Sequence, residues 1–249
     1  MIGSVERYSS MSGRRRAGLL GGRLLRGLLI AFLLYLLVSR FLALTFRVDS
    51  ISMEPVLVPS DRVVVSLLSY GPRVPLSSGR LPGLGEPSRG DLVVVRPPFF
   101  GEPGVAFSLI EPVVSFFTGQ RATLRRDLFN DRVNGYMVKR LVGLPGDTVR
   151  MDGYSLQVKP RGATQFVGEV SLSPTRYQPV SARGPQDAAA ALPVAAGATE
   201  LLLGDDQYFV LGDNRPSSSD SRSWGPIGRD RIIGKVVYRY WPPRSIGTP

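Results

Sequence analysis

One apolar run stands apart from everything else in the chain. "GLLIAFLLYLLVSRFLALTF", residues 27–46, is 20 residues long and carries a single charge, Arg40. About 20 apolar residues are what a helix needs to cross the hydrocarbon layer of a bilayer. Arg40 sits six residues from the end of the run, where a long side chain can snorkel to the headgroups. Beyond the run the pattern changes to short apolar stretches cut by Gly and Pro. "DRVVV" alternates like a strand, "DLVVVRPPFF" reads as a strand stopped by two prolines, and "YMVKRLVGLPGDTVRM" reads as strand, Leu-Pro-Gly-Asp turn, strand. "QYFVLGDNRPSSSDSRSWGPIGRDRIIGKVVYRYWP" reads as strand, long polar loop, strand. The pattern therefore predicts a mostly β, antiparallel domain preceded by one N-terminal transmembrane helix.

Three stretches have weaker patterns. Residues 76–91 form a Gly/Pro/Ser loop. Residues 101–135 mix apolar patches with charge and read as an insertion, either a short amphipathic helix that touches lipid or a plain surface loop. Residues 160–200 are rich in Pro, Ala, Gly and Ser and read as a variable excursion.

The apolar run admits three readings. A cleaved signal peptide has a shorter core and a small-residue exit, which "LTFRVDS" does not supply. A buried helix of a soluble domain is the second. A retained anchor is the third and fits best. Arg7, Arg14, Arg15, Arg16, Arg23 and Arg26 precede the run against one acid, Glu6, which favours a cytoplasmic N-terminus and an outward-facing remainder. The expected division is a basic arm over 1–26, an anchor over 27–46 and an extracytoplasmic domain over 47–249.

Composition narrows the chemistry. The 249 residues include no Cys and no His, which excludes disulfides, a thiol nucleophile, imidazole or thiolate metal sites and any Ser-His-Asp triad. The net charge of +11 is compatible with nucleic acid or an anionic membrane surface. Many arginines lie in the N-terminal arm, where attraction to headgroups accounts for them, so no nucleic-acid partner is expected. Only Lys139, Lys159 and Lys235 are lysines among 31 basic residues. In a chain that writes nearly every cation as Arg, a Lys is worth asking about, because a base must lose its proton and Arg does not.

A Ser hydroxyl needs a neighbouring base before it attacks anything. In "GYMVKRLVGL", Lys139 shares a strand face with Met137 and Leu141, an otherwise apolar face. Burial there would lower its pKa. From spacing alone, a structural, snorkelling Lys is the better reading. Lys159 and Lys235 read as exposed strand or turn cations. The absence of Ser-x-x-Lys argues against the penicillin-binding arrangement.

Four stretches taken together carry a resemblance. "SISMEPVLVPSDRVVV", "RGDLVVVRPP", "YMVKRLVGLPGD" and "GDNRPSSSDSRSWGPI" resemble, in order and spacing, the sequence boxes of the type I signal peptidases, looking most like bacterial members, and the N-terminal run resembles that family's anchor. They cover about a quarter of the chain. The resemblance implies Ser52 as nucleophile and Lys139 as general base. It implies that Ser50 helps the Ser52 N–H hold the oxyanion, and that Ser218, flanked by Ser217, Ser219 and Ser221, orients the lysine. Asp220 and Arg222 match a supporting ion pair, and Asp213 supports the site. Met53, Leu57, Met137 and Val138 match the neighbourhood of the P1 pocket. The implied fold is an antiparallel sheet core with a smaller β excursion over about 150–207. The implied substrates are secretory precursor proteins cut after small residues, as in Ala-x-Ala, at the surface of the lipid bilayer. The membrane would be the cell membrane, or a thylakoid membrane were the chain cyanobacterial. No metal or cofactor is implied. Two departures are Val56, where Thr is common, and Pro216 inside the last box. Two other classes fit less well. A self-cleaving Ser-Lys repressor would need a DNA-binding helix pair where the apolar run stands. A catalytically dead binding protein would not need all four polar site residues.

Overall fold

The computed structural model describes residues 5–74, 79–101, 110, 113–114, 116–117, 135–152, 154–181 and 200–249. Most of residues 101–135, and residues 182–199 of the excursion, lie outside these.

Helix α1 runs from Val5 to Leu37 and closes on a π-helical turn, Val38–Leu42. Its apolar part, Gly21–Leu42, is 22 residues long and long enough to cross a membrane, at about 33 Å by the rise of an α-helix. Leu24, Leu25, Leu29, Ile30, Leu33, Leu34 and Leu37 are all exposed on it. An apolar helix with most of its surface uncovered by the described residues is what lipid accommodates.

The apolar run does not continue as helix to residue 46. Ala43–Arg47 is strand β1, which pairs with β2 (Arg62–Ser66) in the register Ala43↔Ser66 to Arg47↔Arg62. The expected end of the anchor thus moves from residue 46 to Leu42. "ALTFR" is apolar enough to be read with the helix, but Thr45 and Phe46 favour strand and meet the valines of β2.

Two antiparallel sheets follow. The larger has seven strands in the order β1-β2-β11-β3-β4-β9-β10, with β3 Leu92–Val95, β4 Met137–Gly143, β9 Gln207–Leu211, β10 Ile227–Gly228 and β11 Ile232–Trp241. The smaller has four, β7-β6-β5-β8, from β5 Thr148–Asp152, β6 Ser155–Lys159, β7 Val167–Gly168 and β8 Leu201–Leu202. The mostly β, antiparallel class expected from sequence, with its smaller excursion, is the class observed. β3 stops just before Pro97 and Pro98, which lack the N–H a ladder needs. β4 passes into β5 through Leu144–Asp147, where Gly146 takes φ 81°, a conformation that suits Gly. Val142, Val149, Leu156, Val158, Leu203, Phe209 and Leu211 form one apolar cluster that joins the two sheets.

Candidate active site

β4 carries the centre of the site. Lys139 and Arg140 follow one another on it, and each is 2% exposed. Their side chains leave opposite faces, as strand geometry requires. Lys139 Nζ donates to Ser52 Oγ at 2.9 Å and to Ser218 Oγ at 3.0 Å. Ser52 is 6% exposed and lies in a 3-10 turn, Ile51–Met53, directly after the loop that leaves β1. Ser50 Oγ is 3.1 Å from Ser52 Oγ.

The loop after β9 closes over this pair. The Asn214 N–H donates to the Ser52 carbonyl at 3.0 Å and its side-chain amide to the Ile51 carbonyl at 3.2 Å. Gly212 permits the approach: a Cβ there would collide with Ser218 Oγ and come within 2.6 Å of the Ser52 carbonyl oxygen. Ser218 is the serine in contact with the lysine. Ser217 and Ser219 are exposed, and the buried Ser221 hydroxyl accepts from the Val210 N–H at 3.0 Å.

Asp220 holds the loop's shape. Its carboxylate accepts from Arg222 Nε at 2.8 Å, from Arg222 Nη2 at 2.9 Å and from the Gly212 N–H at 2.9 Å. Burial alone would raise the Asp220 pKa. The Arg222 hydrogen bonds and charge, with the Gly212 N–H and the Ser218 hydroxyl, outweigh it and hold the carboxyl below its ordinary range. Arg222 Nη2 also donates to the Arg215 carbonyl at 2.7 Å.

Two ion pairs lie beneath. Arg140 binds Asp213 in a fork, Nε at 2.7 Å and Nη2 at 2.6 Å, and its guanidinium stacks 4.1 Å from the centre of the Tyr177 ring. Arg215 pairs with Glu169 at the start of helix α2 (Glu169–Leu172) and donates Nε to the Gly212 carbonyl at 3.0 Å. Desolvation pushes the Glu169 pKa up against the pull of Arg215. Neither Arg140 nor Glu169 was singled out from sequence. Arg140 gave a faint sign, a charge in the middle of an apolar strand. Glu169 gave none, being 46 residues from its partner in a weakly patterned stretch.

Around the site the buried charges form three pairs, Arg140–Asp213, Arg215–Glu169 and Arg222–Asp220, and farther off the buried Asp61 and Asp147 pair with Arg239 and Arg89. Lys139 is left over. Among the described residues no carboxylate comes within ion-pair distance of it, and it meets only hydroxyls. Desolvation, opposed by the charge of Asp220, aided by Arg222 and opposed again by Asp213, brings its pKa down to about 8. The other two lysines differ. Lys235 pairs with Asp91 at 2.6 Å, and Lys159 sits 5.1 Å from the centre of the Phe166 ring.

Of the residues matched to the P1 pocket, Met53 and Leu57 are fully buried in the cluster of Val48, Val63, Val65, Leu92, Val94 and Val236, with Val138 packed against it. Met137 packs elsewhere, against the cluster of Tyr70, Val93, Leu141 and Ile232.

The arrangement couples a hydroxyl to a buried amine of lowered basicity, which is the equipment for acyl transfer by a serine nucleophile. The chain is similar to the probable signal peptidase I-2 of Synechocystis sp., at 27% identity over 217 residues, 87% of this chain and 72% of that one. It is similar to signal peptidase I of Leptolyngbya laminosa, at 28% over 218 residues, 88% of this chain and 78% of that one. Signal peptidase I of Pseudomonas fluorescens matches at 28% over 228 residues, 83% of this chain and 68% of that one. The model of one protein family, "Signal peptidase, peptidase S26", matches residues 22–241, nearly the whole chain, and the chain belongs to that family of peptide-bond hydrolases.

Proposed function

We propose that the chain is a membrane-anchored serine endopeptidase that removes signal peptides from exported precursors after small residues, as in Ala-x-Ala, with Ser52 as nucleophile and Lys139 as general base. The observation that carries this reading is the 2.9 Å contact between a buried Lys139 Nζ, unpaired with any described carboxylate, and Ser52 Oγ.

A pKa of about 8 leaves roughly one Lys139 in ten neutral at pH 7, against about one in three thousand at its ordinary 10.5. The neutral amine accepts the Ser52 proton as Oγ attacks the carbonyl carbon of the last signal-peptide residue. The oxyanion is held by the Ser52 N–H and the Ser50 hydroxyl. The Lys139 ammonium returns the proton to the leaving amine, which departs as the new N-terminus of the mature protein. The same amine then takes a proton from water, whose oxygen attacks the Ser52 ester. The signal peptide leaves as a carboxylic acid, and the proton returns to Ser52 Oγ. Ser218 keeps the amine aimed, and the Asp220–Arg222 pair keeps Ser218 in place. Met53, Leu57, Met137 and Val138 lie near the P1 side chain, and apolar residues there suit a small apolar P1 residue such as Ala. No metal or cofactor takes part.

The helix over Gly21–Leu42 supports a single span with the N-terminus in the cytoplasm and the sheets outside. A precursor's cleavage site lies next to its own apolar segment, so tethering enzyme and substrate to one bilayer raises their effective concentration. The test is cleavage of a precursor bearing an Ala-x-Ala site by the protein in lipid vesicles. Wild type should cut after the second Ala, Ser52→Ala should not cut, and replacing that Ala by Leu should abolish cleavage. Cleavage by Ser52→Ala would defeat the reading.

A further inference from the structure

The connection between β3 and β4 leaves the larger sheet at the end where the anchor enters it. The register shows this step by step. Ala43, the first strand residue after the helix, pairs with Ser66. Ser66 pairs with Lys235, and Lys235 pairs with Val93. β3 then runs on past that level to Val95, which pairs with Ile232 on one side and with Met137, the first residue of β4, on the other. The chain therefore leaves β3 and enters β4 at the helix end of the sheet.

Part of that connection touches the helix. The described residues 110, 113–114 and 116–117 are helical. The Phe116 ring lies 5.2 Å from that of Phe32 and 5.3 Å from that of Tyr35, centre to centre. Phe32 precedes Leu42, the end of the apolar span, by ten residues, about 15 Å along the axis and so near the middle of the hydrocarbon layer. Beside this contact Phe117 is 65% exposed, Ile110 49% and Val113 40%. Between Pro103 and Phe117 the sequence has one ionisable residue, Glu111.

We propose that the helical residues Ile110, Val113, Val114, Phe116 and Phe117 enter the bilayer alongside α1, packed on it through Phe116, and present Ile110, Val113 and Phe117 to acyl chains. The occupant of this apolar face is lipid, because Phe116 meets α1 at mid-span, a depth a surface-lying helix would not reach. The fold then holds the membrane at two places, the anchor and the β3–β4 connection, which fixes the orientation of the sheets on the bilayer rather than leaving them on a swivel at Leu42. The inference rests on the reading of α1 as a membrane span.

The chain has no Cys, so single labels are unambiguous. Phe117→Cys and, independently, Val113→Cys would carry a nitroxide. Leu29→Cys on α1 and Leu84→Cys, 85% exposed on the sheet domain, serve as markers. Each protein is reconstituted in phosphatidylcholine–phosphatidylglycerol vesicles, and collision with oxygen and with a water-soluble nickel chelate is measured. The proposal expects labels at 113 and 117 to lose nickel collisions and keep oxygen collisions, as at 29 and unlike 84. Nickel access at 113 and 117 equal to that at 84, with 29 protected, overturns it and leaves the anchor intact. Protection from both reagents at 113 and 117 overturns it in favour of protein covering the face. Nickel access at 29 as well defeats the anchor reading and this inference together.

Discussion

Lys139 and Arg140 are neighbours on one strand, each only 2% exposed, yet only Arg140 faces a carboxylate. Arg140 is held in a fork with Asp213, while Lys139 faces Ser52 and Ser218. The strand thus separates a structural cation from the proposed base by one residue and one face.

The two should respond oppositely to loss of charge. Arg140→Met strands the Asp213 carboxylate and should cost about 3–5 kcal/mol of stability. Lys139→Met, close in volume, should leave the protein at least as stable at pH 7 while abolishing cleavage. Denaturation in detergent and precursor cleavage, measured side by side, check both.

The lowered pKa of Lys139 carries two pH predictions. The proposed mechanism requires the neutral amine, so kcat/KM should rise with pH through about 8 and level off above it. For stability the sign follows from proton uptake. Between about 8 and 10.5 the unfolded chain binds the lysine proton and the folded one does not, so stability rises with pH across that window. Below 8 both forms are protonated and the folded state carries the full desolvation cost, roughly 3 kcal/mol. Wild type should therefore gain on Lys139→Met between pH 7.5 and 10. A flat difference would contradict the lowered pKa.

Ser50→Ala should lower kcat by about 10²–10³-fold with little change in KM, the pattern for a donor engaged only by the oxyanion. An equal loss in KM would make Ser50 a substrate-binding group instead.

The serines around Ser218 should separate cleanly. Ser218→Ala lets the amine drift and should cost up to about 10²-fold in kcat. Ser217→Ala and Ser219→Ala, both exposed, should be silent. Ser221→Ala removes the acceptor of the Val210 N–H and should cost about 1 kcal/mol in a thermal melt without a matching loss of kcat.

What the sequence revealed and concealed follows from the physics of each residue. Ser52 and Lys139 were legible because the boxes around them fix a local shape, and because a lysine is rare in this chain. β2, β3, β4 and β11 were legible as valine- and isoleucine-rich runs between Gly and Pro stops. The end of the helix was not, since Ala43–Arg47 has a composition that serves a membrane helix or a half-buried strand, and only the valines of β2 decide it. The Arg215–Glu169 and Arg140–Asp213 pairs join residues 46 and 73 positions apart, which no local pattern encodes. Met137, which shares alternation with Lys139, packs against a different cluster from Met53 and Leu57, a division that strand alternation alone does not encode.

The most direct measurement is the cleavage rate of Lys139→Arg on a precursor with an Ala-x-Ala site, beside wild type and Ser52→Ala. Arg keeps the charge and most of the length but cannot serve as a base at any working pH. The account predicts a loss of about 10²–10⁴-fold or more in kcat, near the level of Ser52→Ala, with the fold retained. Cleavage by Lys139→Arg at close to the wild-type rate, with Ser52→Ala inert, would mean that another group takes the Ser52 proton.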